Sequence, residues 1–388
     1  MKANRLLSLP PYLFEDLENQ CRQAEASGRD VIDLSIGDPD LQPPGVLLEN
    51  LKAALHREEH HFYPPQRGTP ELKAAIQRYL VRRCGVSPAI DEILVLVGSK
   101  EGIGHLPLSV CNPGDLALLP DPGYPVYGAA VQFAGARALF YSLDAERGFA
   151  PAWDRLPQSD LDAARLLFLN YPNNPTGATV DAGVFRDALT LSSERGTIVV
   201  NDAAYADVYC SRTPPPLLCE QPGALEAPVI EFFSFSKTFC ITGWRIGFAV
   251  GRRDVIEALA HLKANLDSGV FGAIQEAIAR TLDGGGDGFA EEMRGEFEKR
   301  RRRAAELLAK LGFDCFPACA TFYVWVKVPE PSTSMDYALR LLERANVLVT
   351  PGRGFGVGGE GYFRIALTQP LERIEQALDR IAASSSFR

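Results

Sequence analysis

The stretch VIEFFSFSKTFCITGWRIGFAVG, residues 229–251, contains two apolar runs that predict buried strands, separated by a segment with a single lysine. This lysine, Lys237, follows the first strand and has Phe233, Phe235 and Phe239 as near neighbours in sequence. Burial among aromatic side chains favours the neutral amine over the ammonium. Because only the neutral amine attacks a carbonyl group, the stretch indicates a Schiff-base lysine. A lysine that extends its charge to solvent is the alternative.

The sequence around this stretch alternates short apolar runs with amphipathic segments of helical length. The strand candidates are ILVLVG, LALLP, RALFYSL, RLLFLNYP, TIVVND, VIEFFSFS and RIGFAVG. Continuous apolar strands between helices are typical of a mostly parallel sheet with helices on both faces. The sequence therefore predicts an α/β fold, in which ligands bind beyond the carboxyl ends of the strands.

The length of 388 residues exceeds the usual size of a single hydrophobic core and predicts two lobes. Near the end of the chain, the runs ATFYVWVKV, NVLVT and YFRIAL alternate with helical patterns and predict a smaller α+β lobe. We predict an N-terminal arm with part of the small domain over residues 1–40. A large domain over 41–275 and a small C-terminal domain over 276–388 complete the prediction.

Composition and charge predict a cytoplasmic protein without a nucleic-acid or membrane partner. The net charge is −9, and no apolar run approaches the length of a membrane span. Pro10 and Pro11 interrupt the N-terminus before a signal-type apolar region forms. Eight scattered cysteines without C-x-x-C pairs favour reduced thiols. The basic run 299–303 follows Glu296 and Glu298, so we predict a solvated helix face there.

Two motif matches carry little weight. HREEH, residues 56–60, fits a reversed zinc-protease pattern, but nothing in the sequence marks a third ligand. GFGVGG, residues 354–359, fits a dinucleotide-binding pattern, but a strand follows it where that pattern requires a helix. We predict an exposed helix end for the first and a flexible loop for the second.

Polar residues at the ends of the predicted strands indicate a phosphate site. Ser99 and Lys100 open a helix directly after ILVLV, and a helix N-terminus offers backbone N–H groups and a positive dipole end. Ser234 lies three residues before Lys237, and Arg245 lies eight residues after it. A hydroxyl group with an arginine suits a dianionic phosphate.

Three more strand ends supply groups for an aromatic ring. Asp202 ends TIVVND and suits a protonated ring nitrogen, while Tyr205 suits a ring oxygen. Asn174, in NYPNNPTG, can donate a hydrogen bond, and Tyr124 can stack on the ring. With Lys237 these groups describe pyridoxal phosphate, whose ring acts as an electron sink that the protein tunes through the carboxylate at its nitrogen.

The segments SFSKTFCITGWRIGFAVG and NYPNNPTGA resemble the class I and II aminotransferases, of pyridoxal-phosphate fold type I. The resemblance extends from LSIGDPD to YFRIALTQ, which is nearly the whole chain. It implies a large cofactor-binding domain with a seven-stranded sheet and a smaller α+β domain. It also implies transfer of an amino group between an L-amino acid and a 2-oxo acid, usually 2-oxoglutarate.

The same resemblance implies roles for the cofactor residues. Lys237 would form the Schiff base and carry the proton between the substrate Cα and the cofactor C4′. Asp202 would bind the pyridine nitrogen, while Asn174 and Tyr205 would bind the phenolic oxygen. The implied phosphate ligands are Ser99, the backbone of Lys100, Ser234 and Arg245.

The resemblance further implies substrate and subunit contacts. Arg364, in YFRIAL, would clamp the substrate α-carboxylate beside the Gly37 backbone, although a structural ion pair is the alternative for an arginine in a strand. Tyr63 would reach the phosphate of a neighbouring subunit. We therefore expect a homodimer with active sites at its interface.

Within the family, PPYLFEDL, GSKEGI and NLDSGVF are similar to the LL-diaminopimelate aminotransferases. This similarity implies that Tyr12 and Lys100 lie near the distal end of the substrate. Gln66 and Phe271 differ, because LL-diaminopimelate-specific members carry glutamate and asparagine there. Loss of buried hydrogen-bonding groups changes discrimination sharply. Aspartate, alanine and aromatic substrates therefore remain open.

Two other functions share parts of this pattern. A fold-type-I lyase or decarboxylase would use the same lysine, aspartate and arginine. A regulator that keeps the aminotransferase fold usually adds a DNA-binding domain, and we expect none before LSIGDPD.

Overall fold

The computed structural model describes residues 3–7, 9, 13–284, 286–329 and 331–384. The strands in chain order are β1 (Ile32–Asp33), β2 (Ile93–Leu96), β3 (Leu116–Asp121), β4 (Arg137–Ser142), β5 (Ala164–Leu169), β6 (Ile198–Asp202), β7 (Val229–Ser234), β8 (Gly247–Gly251), β9 (Tyr323–Lys327), β10 (Val347–Leu348), β11 (Thr350–Pro351) and β12 (Tyr362–Ala366). The helices are α1 (Asn4–Leu7), α2 (Leu13–Ala26), α3 (Gly45–Ala54), α4 (Pro70–Cys84), α5 (Ser99–Val110), α6 (Val126–Phe133), α7 (Gln158–Ala163), α8 (Ala182–Arg195), α9 (Phe235–Thr238), α10 (Arg253–Leu266), α11 (Gly272–Gly284), α12 (Gly286–Lys310), α13 (Ser334–Ala345) and α14 (Leu371–Ala383).

A seven-stranded sheet with the order β2-β8-β7-β6-β5-β3-β4 forms the centre of the molecule. Strand β8 is antiparallel to both of its neighbours, and the other pairs are parallel. Every residue of β2, β7 and β8 is buried, as expected for strands covered on both faces. The predicted fold class is confirmed, and each of the seven predicted runs contains one strand of this sheet.

Helices cover both faces of the large sheet. On one face α5, α6 and α10 pack through Ile103, Val131 and Leu259. On the other face α3, α4 and α11 form a second buried cluster, and α8 packs beside them in a third. Because the crossovers lie on the faces, the carboxyl ends of the parallel strands stay open for a site.

The last third of the chain contains a smaller antiparallel sheet with the order β11-β12-β9. Residues of α12, α13 and α14 pack with this sheet in one core that also includes Ile32 and Leu34. Strand β1 pairs in parallel with β10, so the N-terminal segment joins this C-terminal region. The predicted boundary after residue 275 falls inside α11, and the division at residues 40 and 275 stays a prediction.

The basic run 299–303 does not form a wholly solvated helix face. Arg300 is only 3% exposed, and its guanidinium donates to Asp40 Oδ1 at 2.6 Å and to Glu296 Oε1 at 2.9 Å. Our prediction was wrong there because Arg300 continues the buried stripe of α12, which includes Phe297 and Ala304. The residues of that stripe recur at helical spacing, and this spacing, rather than the charge of the run, determines that Arg300 is buried.

Both segments that matched a motif pattern contact other parts of the fold. His60, in HREEH, lies in a short 3₁₀ turn, and its Nε2 is 2.6 Å from Glu276 Oε2 on α11. In GFGVGG, the Gly358 N–H donates to Asp121 Oδ1 at 2.8 Å, so this loop docks on the end of β3. Among the described residues, no helix is long and apolar enough to cross a membrane.

Candidate active site

The carboxyl ends of the central strands surround a cavity of about 260 Å³. Strand β6 ends there at Asp202 and β7 ends at Ser234, while α5 begins there at Ser99. Eleven of the thirteen predicted site residues line it: Gly37, Ser99, Lys100, Tyr124, Asn174, Asp202, Tyr205, Ser234, Lys237, Arg245 and Arg364.

The other two predicted site residues are not in the cavity lining. The Tyr63 side chain is 94% exposed on the surface of the chain. Tyr12 lies outside the described residues.

Lys237 lies on the short helix α9, directly after β7, and is partly buried. Its Nζ donates to the Gly37 carbonyl oxygen at 2.8 Å and lies 5.5 Å from the centre of the Phe322 ring. Burial lowers the pKa of Lys237 from 10.5 to about 8, and the positive charges of Arg245 and Arg364 act in the same direction. A substantial fraction of this amine is therefore neutral, and reactive toward a carbonyl group, at mildly alkaline pH.

Asp202 is a buried carboxylate whose hydrogen-bond donors are neutral. The Tyr127 hydroxyl group donates to Oδ2 at 2.8 Å, and the Ala204 N–H donates to Oδ1 at 3.2 Å. Burial raises the pKa of Asp202 from 3.8 to about 6. A protonated ring nitrogen beside Oδ1 or Oδ2 would stabilise the charged form.

A donor-rich corner of the cavity forms at the start of α5. Gly98 has a φ of +74°, and a Cβ there would lie 2.7 Å from Arg245 Nη2. A Cβ on Gly247 would lie 2.9 Å from the Ser99 amide nitrogen. Glycine at both positions therefore lets the guanidinium and the strand approach the helix N-terminus, which makes an anion cradle.

These observations fit pyridoxal phosphate. The cradle can bind a phosphate, Asp202 can bind a ring cation, and Lys237 presents an amine to an aldehyde. In addition, the Ser236 hydroxyl group is buried at the cavity and has no hydrogen-bond partner among the described residues. A buried hydroxyl group of this kind is the expected partner of a polar ligand.

Arg364 lies in β12, lines the cavity and is 2% exposed. Nη1 donates to Asn174 Oδ1 at 2.7 Å, and Nη2 donates to the Ser35 carbonyl oxygen at 2.7 Å. The guanidinium carbon lies 3.9 Å from the centre of the Tyr323 ring and 4.8 Å from that of Phe355. These contacts fix a planar cation at the cavity wall, which suits bidentate recognition of a carboxylate.

The sequence prediction missed several residues of the site, among them Tyr127, Asn170 and Tyr323. Tyr127, in the first turn of α6, follows Tyr124 by three residues, and its N–H donates to the Tyr124 carbonyl oxygen at 3.1 Å, so this short spacing was a usable signal. Asn170 follows β5 and donates to the Asp202 carbonyl oxygen at 2.7 Å, so the strand-end rule applies to it as well. Nothing local in sequence distinguishes Tyr323 from a core residue of β9.

Comparison with known proteins agrees with the geometry. Residues 29–381 match the family model "Aminotransferase class I and II". The LL-diaminopimelate aminotransferase of Nitratidesulfovibrio vulgaris Hildenborough is 43% identical over 98% of both chains. The enzyme of that name from Aquifex aeolicus is 41% identical over 98% of both chains. A substrate-bound structure of BacF from Bacillus subtilis has a TM-score of 0.94 and 33% identity, covering 99% of this chain and 97% of that one. The chain belongs to the class I and II aminotransferases, which are enzymes that use pyridoxal 5′-phosphate.

Proposed function

We propose that this aminotransferase takes the amino group of LL-diaminopimelate and transfers it to 2-oxoglutarate. The observation that carries the proposal is the 43% and 41% identity, over 98% of both chains, to two enzymes that bear this substrate in their names. The matched region spans the loops that form the site, and such loops determine specificity.

Pyridoxal phosphate supplies an electron sink that stabilises negative charge at the substrate Cα. We assign Lys237 as the residue that holds the cofactor and then moves the proton at Cα. Its lowered pKa suits both tasks, because the amine can accept a proton and release it near the working pH. The Gly37 carbonyl oxygen, 2.8 Å from Nζ, orients the amine.

We assign the cradle to the cofactor phosphate and the remaining residues to its ring. Asp202 would hold the ring nitrogen in its protonated form, with Tyr127 orienting the carboxylate. Asn174 Oδ1 accepts from Arg364 Nη1, so Asn174 Nδ2 would donate toward the ring oxygen together with Tyr205. The proposed ligands of the phosphate are Ser99, the Lys100 backbone, Ser234 and Arg245, and Tyr124 would stack on the ring.

Arg364 is the proposed clamp for the substrate α-carboxylate, with the Gly37 backbone beside it. We place the Lys100 side chain near the distal end of the substrate, because it is exposed along the cavity wall. Burial lowers the pKa of Lys100, and the positive charge of Arg245 lowers it further. A carboxylate at the distal end of the substrate would stabilise this ammonium.

The proposed working form is a cytoplasmic homodimer with Tyr63 of each chain reaching the other chain's phosphate. Tyr63 is 94% exposed and Phe62 is 73% exposed, and adjacent exposed aromatic residues are typical of an interface. All eight cysteines are free, which suits a reducing compartment. Light scattering tests the dimer, and a Tyr63→Phe dimer should bind the cofactor more weakly. A monomer at working concentration would contradict this part.

A second candidate follows from Gln66 and Phe271. Gln66 lacks the charge that would hold a distal ammonium, and Phe271 is 39% exposed and apolar. These residues favour an amino donor whose distal end is uncharged or aromatic, such as phenylalanine or alanine.

A donor-by-acceptor screen separates the candidates. Purified holoenzyme is incubated with LL-diaminopimelate, aspartate, alanine or phenylalanine and with 2-oxoglutarate, and the glutamate formed is measured. The proposal requires LL-diaminopimelate to give the highest kcat/KM. Higher values with phenylalanine or alanine would favour the second candidate, and Gln66→Glu should then increase the turnover of LL-diaminopimelate.

A further inference from the structure

A buried charge cluster lies behind the phosphate cradle, and the chemistry above does not use it. The side chain of Lys263, in the last turn of α10, is 1% exposed. Its Nζ donates to Glu101 Oε1 at 2.8 Å, Asp267 Oδ1 at 2.7 Å and the Ser268 carbonyl oxygen at 3.1 Å. One ammonium thus has three oxygen partners, which offsets much of the cost of burying it.

Glu101 connects this cluster to the cradle. It is the third residue of α5, and its Oε2 accepts from the Val97 N–H, just after β2. Its own N–H donates to the Gly98 carbonyl oxygen at 3.2 Å. The Glu101 side chain therefore spans the turn that presents the Ser99 amide to the cavity.

The charges explain why a lysine is required. A carboxylate so close to an anion cradle repels a phosphate, and Asp267 adds a second negative charge. The positive charge of Lys263 offsets the negative potential of the Glu101 and Asp267 carboxylates. Its hydrogen bond to Glu101 also holds that carboxylate where it accepts from the Val97 N–H. Without Lys263, the ionised Glu101 carboxylate has no buried cation to neutralise it, and its repulsion of the phosphate weakens phosphate binding.

A metal ion is a poorer occupant of this cluster. Glu101, Asp267 and His105 offer ligand atoms within 4.8 Å of one another. The Lys263 ammonium, however, already lies between the two carboxylates. His105 Nδ1 is 3.7 Å from Glu101 Oε1 and 3.8 Å from Asp267 Oδ2, too far for hydrogen bonds.

We propose that Lys263 and Glu101 are positioning residues for the cofactor phosphate: Glu101 holds the Val97–Ser99 turn, and Lys263 neutralises Glu101. The inference rests on the assignment of Ser99 and Arg245 to the phosphate. It adds to the site two charged residues, Glu101 and Lys263, that would act on the phosphate without contacting it.

The test compares pyridoxal phosphate with pyridoxal, which lacks the phosphate. Dissociation constants are measured on apoenzyme by quenching of intrinsic fluorescence at about pH 9.5. Burial raises the pKa of Glu101 to about 7 in the wild type, and loss of Lys263, which lowers this pKa, raises it further, so the higher pH keeps the carboxylate ionised in the variant too. Lys263→Met should weaken pyridoxal phosphate about tenfold or more and change pyridoxal by less than about threefold. The double variant Glu101→Gln/Lys263→Met should recover most of this loss, because it removes the unpaired carboxylate.

Lys73→Met is the matched control. Lys73 is also buried, at 7% exposure, and donates to the Ile90 carbonyl oxygen at 3.2 Å, outside the cluster. It should leave both constants unchanged. If Lys263→Met does not fold, Glu101→Ala and Glu101→Gln decide: only the alanine variant loses the acceptor for the Val97 N–H and should weaken pyridoxal phosphate.

Three outcomes would overturn the inference. An equal loss of affinity for pyridoxal and pyridoxal phosphate in Lys263→Met would show a general structural effect. Unchanged affinity for both, or equal affinities of Glu101→Ala and Glu101→Gln, would exclude the positioning role. Failure of the wild-type protein to bind pyridoxal phosphate would instead contradict the proposed function, so the two failures are distinguishable.

Discussion

The hydroxyl oxygens of Tyr205 and Tyr323 lie 2.8 Å apart in a buried contact between the large-sheet region and β9. The Tyr323 ring also lies under Arg364, and a Cβ on Gly37 would be 1.9 Å from the Tyr323 hydroxyl oxygen. One aromatic residue thus contacts three of the predicted site residues. Its hydroxyl group acts on Tyr205 and its ring acts on Arg364, so the two contacts can be removed separately.

Tyr323→Phe should weaken cofactor binding by about threefold to tenfold, because Tyr205 loses a buried hydrogen-bond partner. The KM for the amino donor should change little, since the ring remains under Arg364. Tyr323→Leu should in addition raise this KM by about tenfold. Fluorescence titration and steady-state kinetics measure the two effects. A raised KM in the phenylalanine variant would contradict the division of roles.

Lys237→Ala should abolish covalent attachment of the cofactor while the protein stays folded. In the wild type, the rate of attachment to apoenzyme should increase with pH and level off above about 8, where the amine is mostly neutral. An ordinary lysine would give a rate that continues to increase toward pH 10.5. Stopped-flow absorbance measures the rate, and circular dichroism checks the fold of the variant. A rate still increasing at about pH 10 would show that burial does not lower the pKa as described.

Asp202→Asn should stabilise the apoenzyme while it impairs catalysis. The folded-state pKa of about 6 exceeds the value of 3.8 for a solvated aspartate, so ionised Asp202 destabilises the folded apoenzyme above pH 6. Asparagine removes a cost of about 3 kcal/mol, judged from that difference in pKa. The gain in Tm at about pH 7.5 should shrink as pH falls from 6 toward 4, because the wild-type carboxyl group then becomes protonated in the folded protein while it stays mostly ionised in the unfolded chain.

The same variant should lower kcat/KM by roughly 100-fold, because asparagine cannot hold a protonated ring nitrogen by charge. Calorimetry on apoenzyme and kinetics on holoenzyme provide independent readings. Unchanged activity with increased stability would remove Asp202 from the cofactor site.

Arg364→Lys should lower kcat/KM for the amino donor by roughly 100-fold and leave the cofactor dissociation constant within about twofold of the wild type. Lysine keeps the charge but loses planar bidentate recognition and the stacking on Tyr323. Arg303→Lys, at a partly exposed pair with Glu375, is the control and should have no effect. Cofactor loss without a change in KM would assign Arg364 to a structural ion pair.

The strand-end rule accounts for most of what the sequence revealed about this site. Buried strands of a parallel sheet end at one edge, so the polar residues after β2, β6 and β7 had to converge. Asp202, Ser99 and Ser234 were found in this way. Residues that reach the cavity from the small sheet could not be found by it. Arg364 came from a family resemblance, and Tyr323 was missed because its role depends on how two sheets face each other.

For the basic run 299–303, the charges led to a wrong prediction of solvent exposure, whereas the helical spacing of Arg300 indicates burial. Arg300 was assigned to solvent from its basic neighbours, but its spacing from Phe297 and Ala304 places it on the buried stripe of α12. A hydrophobic stripe can include an arginine when a carboxylate such as Asp40 lies opposite. That partner is 260 positions away in sequence and is not visible in any local window.

The pairing of β1 with β10, together with the bond from Arg364 to the Ser35 carbonyl oxygen 329 positions earlier, has a consequence for biosynthesis. During translation, the half of the site that comes from the large sheet can assemble once α10 and α11, which pack on that sheet and end at Leu266 and Gly284, have left the ribosome. The substrate-binding half must wait, because β1, its N-terminal component, has no strand partner until Val347–Leu348 of β10 emerge. A nascent chain can therefore hold its vitamin-derived cofactor before it can recognise an amino acid.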